Sequence, residues 1–174
     1  MRITRLPFDA DDYENRVRSS PCFVCGIVRG SPNQPESVIY RDRRAIAFLS
    51  RPAAQLGHTL VAPTDHLTDV IDDFTSAAYL DLQTLIYGVG RVLTDVVPTE
   101  RLYIMSMGSH QGNAHVHWHL VPLPPGTPYA DQQFNAVMLE RAGYVELAAE
   151  DEAALCVALR EALKSQPEAP TSSN

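Results

Sequence analysis

The spacing of hydrophobic residues predicts one long amphipathic helix. Over residues 72–97, apolar side chains recur every three or four positions, which places them on one face of a helix. They are Phe74, Ala78, Leu82, Leu85, Val89, Val92 and Val96. Asp72 and Asp73 suit the first helical turn, and Pro98 ends the helix. We expect this helix to cover a hydrophobic core.

Short apolar runs between turn residues predict about five strands. They are residues 37–50 (two strands around a turn at 42–44), 58–63, 101–107 and 115–121. Strands are mixed with few helices, and there is no regular βαβ alternation. The pattern therefore predicts an α+β fold, with a mostly antiparallel sheet of about five strands and packed helices.

Changes of composition divide the chain into four segments. They are a polar lead-in at 1–20, a core domain at 21–128, a helical extension at 129–164 and a tail at 165–174 that we expect to be disordered. The lead-in reads as irregular or as a short helix. Residues 131–142 and 150–164 are predicted to be amphipathic helices, with Gly143 as the C-cap of the first and Cys156 in the core face of the second.

Composition excludes several classes of function. The chain has 174 residues, 45% of them hydrophobic, and a formal net charge of −7, so its surface is not a nucleic-acid footprint. Lys164 is the single lysine, which argues against a Walker-type phosphate loop or a Schiff-base mechanism. The charged start lacks the apolar segment of a signal peptide, and no run is long enough to span a bilayer. We therefore expect a cytoplasmic protein that does not bind a membrane.

The strongest chemical signal is the alternation of three histidines with apolar residues. His115, His117 and His119 would share one face of a strand, because successive side chains point to opposite faces. Packing alone does not ask for three imidazoles in a row, which leaves a structural ladder, a metal site, or a catalytic or mixed site. Neutral imidazole is a competent nucleophile, and His117 at the centre is the natural candidate, with His119 and His115 as supports.

Two further groups of polar residues adjoin this chemistry. The loop at 108–114 could present backbone N–H groups as an anion nest, and Ser109, Gln111 and Asn113 add side-chain donors. Cys22 and Cys25 form a C-x-x-C, which in this context indicates zinc or thiol redox chemistry. Zinc would need two more ligands, and histidines are the plausible source.

With these motifs in hand, the chain resembles the histidine triad family of nucleotide hydrolases and transferases, and within it the diadenosine polyphosphate hydrolases. The family is marked by His-x-His-x-His followed by two apolar residues, here Leu120 and Val121. The resemblance covers residues 21–122 and includes PCFVCGIV, VIYRD, AFLS and GHTLVAP. It implies a sheet with packed helices, usually a homodimer, and a small-molecule nucleotide as substrate.

The resemblance also implies a role for individual residues. His117 would attack the α-phosphate and form a nucleotidyl-enzyme intermediate, His119 would contact the phosphate, and His58 would be a further active-site histidine. In zinc-containing relatives, the matching positions hold a structural metal through Cys22, Cys25, His66 and His115. No organic cofactor is implied.

Three departures from the family pattern affect nucleotide recognition. Ser50 stands where many relatives carry an acidic or amide residue that binds ribose. Gly112 or Asn113, beside Gln111, lies where relatives often have a phosphate-binding serine or threonine. Residues 123–125, Leu-Pro-Pro, replace an arginine often found after the triplet.

The leading hypothesis is an enzyme that cleaves dinucleoside polyphosphates or adenylated small molecules and releases a nucleoside monophosphate. Water, phosphate or another acceptor could resolve the intermediate. The alternative is a non-catalytic nucleotide-binding or zinc-stabilised interaction module.

Overall fold

The computed structural model describes residues 3–30 and 37–166. The strands are β1 (Ile3–Leu6), β2 (Val38–Arg41), β3 (Ala45–Leu49), β4 (Thr59–Pro63), β5 (Arg101–Ser106), β6 (Trp118–Leu123) and β7 (Tyr144–Leu147). The helices are α1 (Ala10–Ser19), α2 (Phe23–Val28), α3 (Ser76–Val96), α4 (Phe134–Val137), α5 (Leu139–Ala142) and α6 (Ala149–Lys164). Residues 167–174 of the tail, which we expected to be disordered, lie outside the described residues.

Five strands form one sheet in the order β2-β3-β4-β6-β5. Every neighbouring pair in it is antiparallel. The register sets Leu60 of β4 opposite His119 of β6. The predicted α+β fold with a five-stranded antiparallel sheet and packed helices is confirmed. Among the described helices, none is long and apolar enough to cross a membrane.

The two faces of the sheet are covered by different helices. On one face, α3 and α6 bury a core that includes Val61, Val89 and Leu120. On the other face, α2 packs Val24 and Ile27 against Ile46, Phe48 and Leu60. Because strand side chains alternate between faces, β3 and β4 contribute to both cores and are buried along their whole length.

Helix α3 begins later than the pattern predicted. Thr75 is its N-cap, and its Oγ1 accepts a hydrogen bond from the backbone N–H of Ala78 at 3.1 Å. Ala78 is exposed, so the buried stripe starts at Leu82. The Asp73 carboxylate instead accepts hydrogen bonds from the N–H groups of Thr68 and Asp69, at 2.7 and 3.0 Å, and closes the loop before the helix.

The extension contains one of the two helices we predicted there. Residues 131–142 are not one helix, because a 3-10 turn at Tyr129–Asp131 is followed by the short α4 and α5. Gln133 has a φ of 57°, which a continuous right-handed helix excludes. Gly143 is the C-cap of α5 as predicted, and α6 forms with Cys156 buried.

The lead-in also pairs with the extension. Strands β1 and β7 form a separate antiparallel sheet in which Ile3 lies opposite Leu147. The lead-in supplies α1, as expected, but β1 was not predicted. A four-residue strand has little pattern of its own, and its partner comes from the far end of the chain.

Candidate functional site

Only the last histidine of the triplet lies within a strand of the sheet. Strand β6 begins at Trp118, so His119 lies in the strand while His115 and His117 precede it. The predicted alternation still holds, because the apolar residues that alternate with the histidines all pack in the core under α3; they are Val116, Trp118 and Leu120. The three imidazoles therefore face away from α3, and the rings of His117 and His119 lie 4.8 Å apart.

His117 is held in one tautomer by its own backbone. Its Nδ1 lies 2.7 Å from the carbonyl oxygen of His115, so Nδ1–H donates and Nε2 keeps a free lone pair. Its ring is nearly perpendicular to the Phe23 ring, and the two ring centroids lie 5.8 Å apart. Burial lowers the pKa of His117. At neutral pH the ring is therefore uncharged and nucleophilic at Nε2.

His58 and His119 form a directed chain of hydrogen bonds. The backbone N–H of Ala54 donates to His58 Nδ1 at 3.0 Å, which places the His58 proton on Nε2. His58 Nε2 lies 3.0 Å from His119 Nδ1, so it donates there and His119 carries its own proton on Nε2. A single amide N–H thus sets the tautomers of two imidazoles.

Burial keeps these rings neutral. Desolvation, with the nearby His119 and His117, lowers the pKa of the fully buried His58 well below its usual range. Desolvation, with a smaller effect of His117, lowers the pKa of His119 to about 4. Protonation of His119 at Nδ1 would also place two N–H groups against each other, because His58 Nε2–H already points at that atom. This repulsion acts in the same direction as burial and lowers the pKa of both rings.

Four side chains from three parts of the chain converge on a second cluster. Cys22, Cys25, His66 and His115 place one ligand atom each within 4.8 Å of all the others. His115 Nδ1 lies 3.5 Å from each sulfur, and His66 Nδ1 lies 3.3 Å from Cys25 Sγ. Zinc bonds of about 2.3 Å to sulfur and 2.0–2.1 Å to nitrogen imply tetrahedral S···N edges of roughly 3.5 Å. The donor set and its spacing therefore fit zinc.

The surroundings of His115 prepare it as a ligand. Its Nε2 lies 2.9 Å from the carbonyl oxygen of Pro63, so Nε2–H donates and Nδ1 presents its lone pair to the cysteines. Burial lowers the pKa of His115, which keeps it neutral. Burial and the adjacent Cys22 raise the pKa of the Cys25 thiol. A metal would have to displace that proton, so its binding should weaken in acid.

The loop at 108–114 is packed against helix α1. Asn113 Nδ2 donates to the Tyr13 hydroxyl at 3.0 Å, and Arg18 donates to Gln111 Oε1 at 3.1 Å. A Cβ on Gly112 would lie 2.5 Å from Val17 Cγ1, so Gly112 permits this approach. The pattern did not predict that α1 would cover this loop.

Two N–H groups of the expected anion nest are used inside the loop itself. The N–H of Gly112 donates to the Ser109 carbonyl at 3.0 Å, and that of Gln111 donates to Ser109 Oγ at 3.1 Å. Asn113 adopts a φ of 58°, a left-handed conformation that asparagine tolerates better than most residues. The loop is therefore a hydrogen-bonded turn in which these two N–H groups are not free to bind an anion.

Ser50 is buried beside the histidines rather than open to solvent. Its Oγ donates to the carbonyl of Pro52 at 2.8 Å, and its N–H donates to the carbonyl of His58 at 2.8 Å. Ser50 therefore stabilises the turn that leads to His58.

Comparison with known proteins agrees with this geometry. The HIT domain model matches residues 31–125, more than half of the chain. An uncharacterized HIT-like protein of Borreliella burgdorferi is 25% identical over 130 residues, which cover 72% of this chain and 92% of that one.

Two crystal structures share the fold at 22% identity and a TM-score of 0.64. One is a hypothetical histidine triad nucleotide-binding protein from Sulfolobus tokodaii, with 82% of this chain and 92% of that one covered. The other is a Zn-bound histidine triad family protein from Mycobacterium smegmatis, with 83% and 97% covered. The histidine triplet, the antiparallel sheet and the family match together establish that the chain belongs to the HIT domain family.

Proposed function

We propose that this chain binds nucleotides and acts as a hydrolase or nucleotidyltransferase at the α-phosphate of dinucleoside polyphosphates or adenylated small molecules. The observation that carries the proposal is the 2.7 Å contact between His117 Nδ1 and the carbonyl of His115. It leaves a neutral imidazole with Nε2 unprotonated, which is the state that attacks phosphorus. A ladder with no chemical role has no need of that state.

The first step forms a covalent intermediate on His117. The Nε2 lone pair makes a bond to the α-phosphorus, the bond from phosphorus to the leaving oxygen breaks, and the leaving phosphate departs with that electron pair. The ring becomes an N-phosphorylated imidazolium. Its Nδ1–H still donates to the His115 carbonyl, a stronger bond once the ring is positive.

The second step restores the enzyme. Water attacks the phosphorus, the N–P bond breaks, its electron pair returns to Nε2, and one proton is released to solvent. The product is a nucleoside monophosphate. Inorganic phosphate or another nucleophile in place of water gives a transferase.

His119 and His58 support the phosphate. The proton that the hydrogen-bond chain places on His119 Nε2 makes that atom a donor for a non-bridging oxygen, beside the His117 ring. His58 contributes by holding His119 in this tautomer. Both rings are neutral, so they stabilise charge without exchanging a proton.

Recognition of the rest of the substrate involves the polar loop. The side-chain amides of Gln111 and Asn113 are the proposed phosphate donors. Gly112 lies between them, and its missing Cβ lets this loop pack against α1. Ser50, whose hydroxyl proton is already used, is proposed to contact ribose through its remaining lone pairs.

Zinc is proposed as a structural component. Cys22, Cys25, His66 and His115 would hold it with four protein ligands and no open position, so it contributes stability rather than chemistry. Because His115 also accepts from His117, the metal site and the nucleophile share one residue. The relative from Mycobacterium smegmatis described as Zn-bound supports the assignment.

We propose a homodimer in the cytoplasm, without a nucleic acid or membrane partner or an organic cofactor. Strand β5 lies at the sheet edge, and Ile104 within it and Met107 just after it are about half exposed. An exposed apolar edge strand is a common site of self-association. Analytical ultracentrifugation tests the dimer: Ile104→Glu should give a monomer, whereas a wild-type monomer at micromolar concentration contradicts it.

The enzyme proposal is tested by trapping the intermediate. Wild-type protein mixed with diadenosine tetraphosphate should show an adenylyl adduct by intact mass, and His117→Ala should show none. His110→Ala, which removes an exposed histidine of the neighbouring loop, is the matched control and should keep the adduct. Products formed with and without inorganic phosphate separate hydrolase from phosphorylase.

The alternative is a non-catalytic nucleotide-binding or zinc-stabilised interaction module. It predicts nucleotide binding without an adduct and without turnover of adenylated amines or dinucleoside polyphosphates. That result would overturn the enzyme proposal and leave the zinc proposal standing.

A further inference from the structure

The segment that carries His58 contacts both the lead-in and the extension of the chain. Residues 51–58 connect β3 to β4. They contact β1 and the region of β7, and both strands lie outside the residues 31–125 that match the HIT domain. These contacts are therefore made by segments outside the matched region.

One peptide unit lies at the centre of the connection. The carbonyl of Ala53 accepts from the N–H of Val145 in β7 at 2.7 Å. The N–H of Ala54, in the same peptide plane, donates to His58 Nδ1 at 3.0 Å. Because the amide is planar, the position of its oxygen fixes the direction of its N–H. Strand β7 therefore orients the donor that sets the His58 tautomer.

Arg5 in β1 holds the next part of the segment. Its Nη1 donates to the carbonyls of Ala54 and Ala142 at 3.2 Å each and to that of Gly143 at 3.4 Å. A planar guanidinium can contact several carbonyls at fixed angles, which lysine cannot reproduce. Arg5 thus joins residue 54 to the turn that leads into β7.

Gln55 adds a second connection to the same arginine. It is buried, and its Oε1 accepts from Arg5 Nη2 at 3.0 Å. Its Nε2 donates to the carbonyl of Ala136 in α4 at 2.8 Å, and its carbonyl accepts from the N–H of His58 at 3.1 Å. Removing the guanidinium would leave the buried Oε1 without this donor, so residues 54–58 would lose their fixed arrangement.

We propose that Arg5 is a positioning residue for His58: together with β7 it holds the Ala53–Ala54 peptide so that His58 donates to His119. The inference deepens the proposed function, since the catalytic consequence rests on His119 contacting phosphate. The effect on the tautomer of His58 does not rest on it.

The test measures histidine tautomers by long-range proton–nitrogen NMR without nucleotide. In the wild-type protein, His58 should be protonated at Nε2 alone and His119 at Nε2 alone. Arg5→Met should give a mixture of both His58 tautomers, and Arg5→Lys should restore the wild-type pattern only in part. Arg91→Met, which removes a guanidinium that lies over Tyr87 on α3, should leave it intact.

A purely structural role gives a different result. Arg5→Met would then lower the unfolding temperature while His58 remained a single Nε2–H tautomer, and this outcome overturns the proposal. If Arg5→Met does not fold, Arg5→Lys makes the same test, because an ammonium group cannot reproduce the planar contacts of the guanidinium. A single Nε2–H tautomer of His58 in folded Arg5→Lys likewise overturns the proposal.

Activity separates this inference from the proposed function. If the enzyme turns over nucleotide, Arg5→Met should lower kcat roughly tenfold with KM little changed, since small misplacements of catalytic groups act mainly on rate. If the tautomer shifts but wild-type protein forms no adduct, the positioning role stands and the proposed activity fails. If the His58 tautomer is unchanged in Arg5→Met and the wild-type protein forms the adduct, the proposed activity stands and the positioning role of Arg5 fails.

Discussion

His58 Nε2 lies 3.0 Å from His119 Nδ1, and this contact gives the histidine site a direction. The series of donors begins at the N–H of Ala54, continues through Nε2–H of His58 and ends at Nε2–H of His119. Each imidazole in the chain can accept at one nitrogen only because it donates at the other. The two histidines therefore act as a unit, although 61 residues separate them in sequence.

Loss of His58 should weaken catalysis without abolishing it. His58→Phe removes the donor to His119 Nδ1, which frees His119 to rotate or change tautomer. We expect adduct formation from diadenosine tetraphosphate to slow by about 10–100-fold, up to the cost of a small misplacement of a catalytic group. Rapid-quench mass spectrometry measures it, with His110→Phe as control. A wild-type rate in His58→Phe contradicts the proposed chain.

Acid should destabilise the fold through the buried histidines. The pKa of His119 falls from 6.5 to about 4 on folding, and that of His58 also falls well below its usual range, in both cases because burial disfavours the charged ring. Unfolded chains bind these protons first, so stability is complete above pH 6.5 and is lost progressively as the pH falls toward 4. His119 alone accounts for at most about 3–4 kcal/mol, at about 1.4 kcal/mol for each pKa unit.

Urea unfolding at several pH values measures this effect. Between pH 7 and 5 the free energy of unfolding of the wild-type protein should fall more steeply than that of His119→Asn, which has no titrating ring at this position. Equal slopes in the two proteins would show that His119 does not titrate as its burial indicates.

Zinc content should depend on the four-residue cluster. We expect one zinc per chain in the wild-type protein and none in Cys22→Ser, because three ligands hold a structural zinc poorly. Cys156→Ala, which alters the buried cysteine of α6, is the control and should retain zinc. Elemental analysis of proteins purified without chelator measures it. Zinc-free wild-type protein contradicts the site.

The metal should also support stability. Chelation should lower the unfolding temperature of the wild-type protein but not of Cys22→Ser. A chain of this size loses about 2–4 °C for each kcal/mol of stability removed. An equal effect of chelator on both proteins would mean that it acts elsewhere.

The packing of β1 against the turn before β7 should be sensitive to a methyl group added at Gly143. Gly143 and Gly126 both have positive φ, 70° and 78°, so alanine strains the backbone at each by about 1 kcal/mol or more, and the ψ of −170° at Gly143 is a conformation almost confined to glycine. A Cβ at Gly143 would lie 2.1 Å from the carbonyl oxygen of Leu6, whereas at Gly126 nothing lies within 4 Å. Gly143→Ala should therefore destabilise the protein clearly more than Gly126→Ala in urea unfolding. Equal losses contradict the close packing of β1.

Much of the fold and the set of candidate site residues could be predicted from the sequence, because both depend on local pattern. The period of apolar residues located α3 and the five strands, and the alternation around His117 separated core from site. The break at Gln133 could not be read, since the apolar period of residues 131–142 suits one helix and the left-handed backbone there leaves no mark on it. The docking of α1 on Gln111 and Asn113 joins residues about 100 positions apart and likewise has no local signal.

The sequence by itself determined which side chains form the candidate site: the histidine triplet, the C-x-x-C pair and the His58 that follows Gly57. Only the tertiary structure decided what each nitrogen does. The carbonyls of His115 and Pro63 and the N–H of Ala54 set the tautomers of His117, His115 and His58. Every residue except proline carries the same backbone donor and acceptor. Their identity as partners therefore comes from where the folded chain places them, and no residue type announces it.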